Sequence, residues 1–183
     1  QDKDALQVAL KFIIHFAGDI HQPLHVGWTT DEGGNKIPVQ ESWDPSAHRM
    51  NLHEVWDFGI IDGMEAPTHL SEEDIAKNLT QELKTGSMSG SLEAWSHCGD
   101  RADKTNLLKC VTQIASESIK DACTYAYKDD QGNLISQGED LDEAYFATRV
   151  PVVRSRLAAG GARLAGILKY ALSATSSDRL LFA

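Results

Sequence analysis

Apolar positions open this chain with almost no polar break. Over residues 4–19, Leu6, Val8, Ala9, Leu10, Phe12, Ile13, Ile14, Phe16 and Ala17 form a wide face at helical spacing, which predicts a largely buried helix. Gly18, near the end of that pattern, costs about 1 kcal/mol of helix propensity against Ala and implies close approach by another backbone or a metal. Pro23 closes the segment, leaving His25 just beyond it. Residues 26–50 read as loop, with strand-like pairing confined to 36–40. Asn51 predicts the N-cap of a helix carrying His53 and Asp57. Ser71 with Asp74 predicts a capping box opening a helix to about Lys84. A turn follows at 85–90 and a short helical piece at 92–96. Residues 105–127 predict a long helix with Leu108, Val111, Ile114, Ala115, Ile119 and Ala122 on one face. After a loop at 129–138, a short helix covers 141–148, and Pro151 begins a final helix to about Ala174. Gly160 and Gly161 inside it predict tight helix packing, and 176–183 predict a frayed tail. The expected fold class is all-α, or mainly α: a multi-helix bundle with long loops and at most a short β-hairpin.

Length and charge narrow this further. The 183 residues suit one domain spanning 1–183. A formal net charge of −10 repels a polyanion at long range and argues against a basic nucleic-acid groove. Bound divalent cations would reverse that sign locally. No run approaches the roughly 18–20 apolar residues of a membrane span. The chain opens on QDKDALQ with neither an initiator Met nor a signal peptide, so it is expected to be the interior of a longer protein. Cys98 and Cys110 flank the polar loop GDRADKTNLLK, which a disulfide would staple, leaving Cys123 without a partner in this chain. Three reduced thiols in a cytosolic protein are the other reading. Asn78 begins an Asn-Leu-Thr glycosylation sequon, meaningful only on a secretory route.

The candidate chemistry lies between residues 15 and 57. HFAGDIHQPLH carries His15, Asp19 and His25, and NLHEVWD carries His53 and Asp57. Each His-x-x-x-Asp pair sets imidazole and carboxylate one helical turn apart on one face. Both groups are good zinc ligands, and two such helices facing each other enclose metal. A lone His15 in an apolar helix is more often a hydrogen-bonded core residue, and a lone Asp57 a cap or ion-pair partner. Two pairs plus a linking His make metal binding the stronger reading, because Asp19 unpaired in an apolar helix is a costly buried charge. His21, His48, His69 and His97 lack such partners in the sequence and read as structural or exposed.

These motifs, with GGNK between them and DACTYAY, DEAYFATRVPVV and RLAAGGARLAGIL beyond, resemble the S-one/P-one nucleases, a family of trinuclear-zinc, single-strand-preferring enzymes. The plant bifunctional members are the nearest in pattern, and the chain resembles the family's C-terminal two-thirds. The resemblance implies a phospholipase C/P-one nuclease-like bundle around a zinc cluster. It implies a zinc-dependent endonuclease that hydrolyses single-stranded DNA and RNA to 5′-phosphorylated products, acts on 3′-nucleotides, and is a secreted or vacuolar monomer. His15 would ligate one zinc of a close pair, and Asp19 would bridge that pair, with a zinc-bound hydroxide as nucleophile. His25, His53 and Asp57 would hold the third zinc. Gly33, Gly34 and Asn35 would build part of a base pocket, with the Asn35 amide on the base edge; taken alone, they are an ordinary turn. Glu32 stands where a fungal member carries an apolar residue. Cys98–Cys110 is the expected disulfide, and Cys123 would pair with a cysteine in a preceding segment. That segment would also carry the remaining zinc ligands, among them an N-terminal Trp, so fewer than three zinc ions are expected on this chain alone. Two rivals stay open. A zinc-dependent phospholipase C shares the geometry but favours His-x-x-x-Glu for the second pair, and a catalytically incompetent metal-binding fragment fits the absent ligands.

Overall fold

The computed structural model describes residues 2–43, 48–65, 70–97 and 104–173. The opening helix α1 runs Lys3–Asp19, capped by the Asp2 carboxylate, which accepts from the Asp4 and Ala5 amides. Two 3₁₀ turns follow, Pro23–Val26 and Thr29–Asp31. Strands β1 (Pro38–Glu41) and β2 (His48–Asn51) pair antiparallel, Val39 opposite Met50. Asn51 then caps α2 (Leu52–Glu54) in a reciprocal capping box with Glu54, as its position predicts. That helix passes through a π-helical turn, Val55–Gly59, into α3 (Ile60–Glu65). Ser71 and Asp74 form the predicted capping box of α4 (Glu72–Thr85). α5 (Ser89–Ser96) and α6 (Lys104–Asp121) follow, and α6 ends in a second π turn at Ala122–Ala126. β3 (Glu139–Leu141) joins β1 in parallel, and α7 (Glu143–Ser173) closes the described chain.

The architecture is mainly α. The small sheet exceeds the expected hairpin by one strand, because β3 returns beside β1 to give the order β2-β1-β3. The central core gathers Leu24, Leu52, Val55, Trp56, Ile60, Ala126, Tyr127, Leu141, Tyr145 and Val153. A second cluster seats Ile75, Leu79 and Leu83 of α4 on Ala158 and Ala162 of α7.

Five expectations fail here, in whole or in part. Pro151 does not start a helix; it lies inside continuous α7. Tyr145 and Val153, on either side of it, belong to one core, and that packing offsets the missing backbone donor. α1 is not buried: none of its residues is, and Leu6, Val8, Leu10, Phe12, Ile14 and Phe16 stand exposed. Its principal packing partner is α7, and no described element covers its apolar side. Among the described residues nothing lies within 4 Å of a Cβ added at Gly18, so no close approach by them accounts for it. Along the face predicted for 105–127, Ile114 on α6 and Ala122 in the following π turn are buried, but Leu108 and Val111 at its start are exposed. Of the glycine pair, Gly160 packs tightly, its Cβ position 3.3 Å from the His21 ring, whereas Gly161 faces open space. The expected tail at 176–183 and His69 lie outside the described residues. Among the described residues no helix is long and apolar enough to cross a membrane.

Candidate metal centre

The site forms where the turn after α1, the Pro23–Val26 3₁₀ turn and the α2–π segment meet. Gln22 caps the 3₁₀ turn, its side-chain carbonyl accepting from the Leu24 amide, and thereby sets His25. His53 lies on α2, and Asp57 falls within the π turn. The wider π turn still leaves His53 Nε2 3.4 Å from Asp57 Oδ2, so the one-turn spacing read from sequence holds. His25 Nε2 approaches the other carboxylate oxygen, Oδ1, at 3.3 Å. One ligand atom each from His25, His53 and Asp57 lies within 4.8 Å of the others.

Backbone geometry in the glycine turn orients His53. Gly33 and Gly34 adopt φ of 64° and 85°, the left-handed region that glycine occupies without penalty. A Cβ on Gly33 would collide with the Leu24 carbonyl, and one on Gly34 would lie 3.3 Å from the His53 amide nitrogen. So close an approach lets His53 Nδ1–H donate to the Gly33 carbonyl at 2.8 Å, which leaves Nε2 free for a metal. Metal-binding histidines commonly hold their second nitrogen in this way. Gln22 supplies the matching outer contact for the carboxylate, donating to Asp57 Oδ1 at 2.8 Å.

The first pair sits beside this triad. His15 Nε2 is 3.2 Å from Asp19 Oδ2, the same oxygen that lies 4.0 Å from His25 Nδ1. Asp19 therefore stands between His15 and His25, while the three-residue group excludes both members of the first pair. The two carboxylates make this spot favour positive charge. The hydrogen bond to Asp57, aided by the charges of Asp57 and Asp19, raises the His25 pKa against a smaller effect of burial. Burial alone would push the Asp57 carboxyl up, but hydrogen bonds from His25 and Gln22, with His53 nearby, hold it below the ordinary range.

Other expected residues are distributed around this centre. Asn35 is exposed, and its amide donates to the Glu32 carbonyl at 2.8 Å, while the Glu32 carboxylate pairs with Lys36. Asn78 is exposed on α4. Cys123 is a free thiol and Cys110 is disulfide-bonded; Cys98 lies outside the described residues. Sequence reasoning missed Gln22; of the two roles left open for His21, structural or exposed, the structure shows the structural one. His21 is 3% exposed, donates from Nδ1 to the Ala17 carbonyl at 2.6 Å, and accepts from Arg163 at Nε2. Burial lowers its pKa to about 4, so it stays neutral. The only sequence signal for Gln22 was its place between two ligand candidates.

The arrangement suits a hard or borderline cation: two imidazoles and a carboxylate converge, and a further carboxylate stands one histidine away. Comparison with known proteins points the same way. The family described as S1/P1 Nuclease matches residues 1–173. Endonuclease 1 of Arabidopsis thaliana is 43% identical over 170 residues, covering 90% of this chain and 50% of that protein. Nuclease S1 of Aspergillus oryzae is 32% identical over 169 residues, covering 92% and 55%. Nuclease P1 of Penicillium citrinum is 32% identical over 162 residues, covering 86% and 55%. The chain thus spans about half the length of the curated relatives it matches, less than the two-thirds implied by its motifs. On the family match and these identities together, this chain belongs to the S1/P1 nuclease family.

Proposed function

We propose that the protein containing this chain is a zinc-dependent endonuclease that hydrolyses single-stranded DNA and RNA to 5′-phosphorylated products and also acts on 3′-nucleotides. The observation that carries this reading is the convergence of His25, His53 and Asp57 within 4.8 Å. The residues fit zinc: His53 has its second nitrogen already occupied by a carbonyl, and Asp57 is held in its anionic form by His25 and Gln22. These three would hold one ion; His15 and Asp19 would contribute to a close pair, with Asp19 bridging. Zinc, when bound, supplies Lewis acidity toward phosphoryl oxygens and activates water near neutral pH.

What the chain's own side chains do follows from the geometry. Gln22 and the Gly33 carbonyl orient the ligands, so little reorganisation accompanies binding. Concentrating positive charge at one spot lets a chain of net charge −10 engage one phosphate without a basic groove. Gly33 and Gly34 lie against His53 and, with the exposed Asn35 next to them in the chain, belong in this reading to a base pocket beside it. Single strands suit such a pocket because their bases are free to leave the stack. Within the same reading Cys98 pairs with Cys110, Asn78 carries a glycan, and the protein enters the secretory or vacuolar route.

The test assays the complete protein on single-stranded DNA, RNA, duplex DNA, a 3′-nucleotide and phosphatidylcholine, with zinc present and after chelation. Zinc-dependent cleavage of the single strands with 5′-phosphate ends is the expected result. Cleavage of phosphatidylcholine alone would transfer the site to the phospholipase reading, and undiminished activity after complete zinc removal would refute the metal assignment.

A further inference from the structure

The end of α1 that carries Asp19 is not fixed by apolar burial, because no residue of that helix is buried. It is fixed by a polar cluster behind it. The Ser118 hydroxyl, wholly buried on α6, donates to the Ile20 carbonyl at 2.6 Å. Arg156 on α7 donates through Nε to the His21 carbonyl at 3.1 Å and through Nη2 to Ser118 Oγ at 2.5 Å. Arg163, one helical stretch further, donates to His21 Nε2 at 3.0 Å, and His21 Nδ1 reaches back to the Ala17 carbonyl. Glu117 accepts from both arginines, at 3.0 and 2.8 Å, and Asp121 lies 3.7 Å from Arg156 Nε. Arg156 and Arg163 are 8% and 3% exposed. Two buried guanidinium groups with fewer partners would be a net cost; here their forks are occupied by carboxylates, a hydroxyl, a carbonyl and an imidazole.

The cluster's hydrogen bonds to α1 and its following turn fall on residues 17, 20 and 21, which flank Asp19. On the far side, the adjacent Gln22 holds Asp57. We propose that the Glu117–Ser118–Arg156–Arg163–His21 cluster is a clamp that sets the distance of Asp19 from the His25–His53–Asp57 group, making these five positioning residues for the metal centre. The clamp holds the turn whether or not metal is present; its effect on zinc rests on the function proposed above.

The test uses the complete protein with Ser118→Ala, which removes the link between Arg156 and the Ile20 carbonyl, and Arg156→Lys, which keeps a charge for Glu117 but cannot span carbonyl and hydroxyl together. Two readouts are taken: amide hydrogen exchange on the metal-free protein, and zinc titration against a competing chelator. The clamp predicts at least about tenfold faster exchange at residues 20–22 with the β1–β2 amides unchanged. It also predicts about tenfold weaker zinc binding at the Asp19 position, the size seen when outer partners of a metal site are lost, with the His25–His53–Asp57 position less affected. Wild-type exchange at 20–22 in both variants would overturn the clamp, as would equal weakening of all zinc positions in step with global stability. Faster exchange at 20–22 in a protein that binds no zinc even as wild type would support the clamp and refute the metal reading instead.

Discussion

Two His-x-x-x-Asp pairs with identical spacing are held in opposite ways. His53 and Asp57 ride on a segment whose Leu52, Val55 and Ile60 are completely buried. His15 and Asp19 ride on a helix whose apolar side chains face outward and whose end is tied down by buried polar groups. The second pair thus inherits its position from the hydrophobic core, which is non-directional but strong. The first takes it from a few directional hydrogen bonds, which specify distance but tolerate no missing partner. Spacing alone shows which residues share a face, not what anchors that face.

The largest expected effect tests the weaker-anchored pair. Asp19→Asn in the complete protein should lower phosphodiesterase turnover by about a thousandfold, since metal-ion charge stabilisation is worth several kcal/mol and each 1.36 kcal/mol is tenfold. Circular dichroism should show the fold intact; near-normal turnover at limiting zinc would mean Asp19 bridges nothing.

Gln22→Leu probes the outer contact of the better-anchored pair. Losing its donation to Asp57 should weaken zinc binding at the His25–His53–Asp57 position roughly tenfold, measured by chelator competition. An unchanged affinity would show that the core alone orients Asp57.

A stability contrast separates the two anchoring modes directly. Leu52→Ala should cost about 2–5 kcal/mol in denaturant unfolding, because it leaves a cavity in a filled core. Phe16→Ala, on the exposed face of α1, should stay within about 0.5 kcal/mol in this chain. Comparable losses at both positions would mean that the α1 face is covered in solution.

How much of this was readable beforehand follows from the same contrast. The capping residues Asn51 and Ser71 announced their helices because capping is local chemistry. The His53–Asp57 pair was legible from its one-turn spacing, whereas grouping His25 with it was implied by the family resemblance and not by spacing. β3 was not, since its pairing with β1 is set by a contact a hundred positions away. The unbroken α7 was hidden for a similar reason: Pro151 is a helix-start signal locally, and only the shared packing of Tyr145 and Val153 overrides it. The exposed α1 face reversed an expectation because periodicity shows that a face is apolar, not that something covers it. The His21 cluster left no trace in the pattern, its members being spread over two helices and a turn.

The smallest expected effect is a pH dependence in the clamp. Burial would raise the Glu117 carboxyl, but hydrogen bonds from Arg156 and Arg163 outweigh it and hold the pKa below the ordinary value. A depressed folded-state pKa contributes stability above the unfolded value of 4.5, lost as pH falls through the folded value. Denaturant unfolding should therefore show wild type losing stability relative to Glu117→Gln on acidification below about pH 4.5. Parallel curves would place Glu117 outside the clamp's energetics.

The central claim is that His25, His53 and Asp57 share one zinc ion. Anomalous diffraction at the zinc edge, on crystals of the complete protein grown with zinc, tests it most directly. The account predicts a peak about 2.0–2.2 Å from His25 and His53 nitrogens and an Asp57 oxygen together. Zinc bound elsewhere, with these three side chains free of it, would contradict the account.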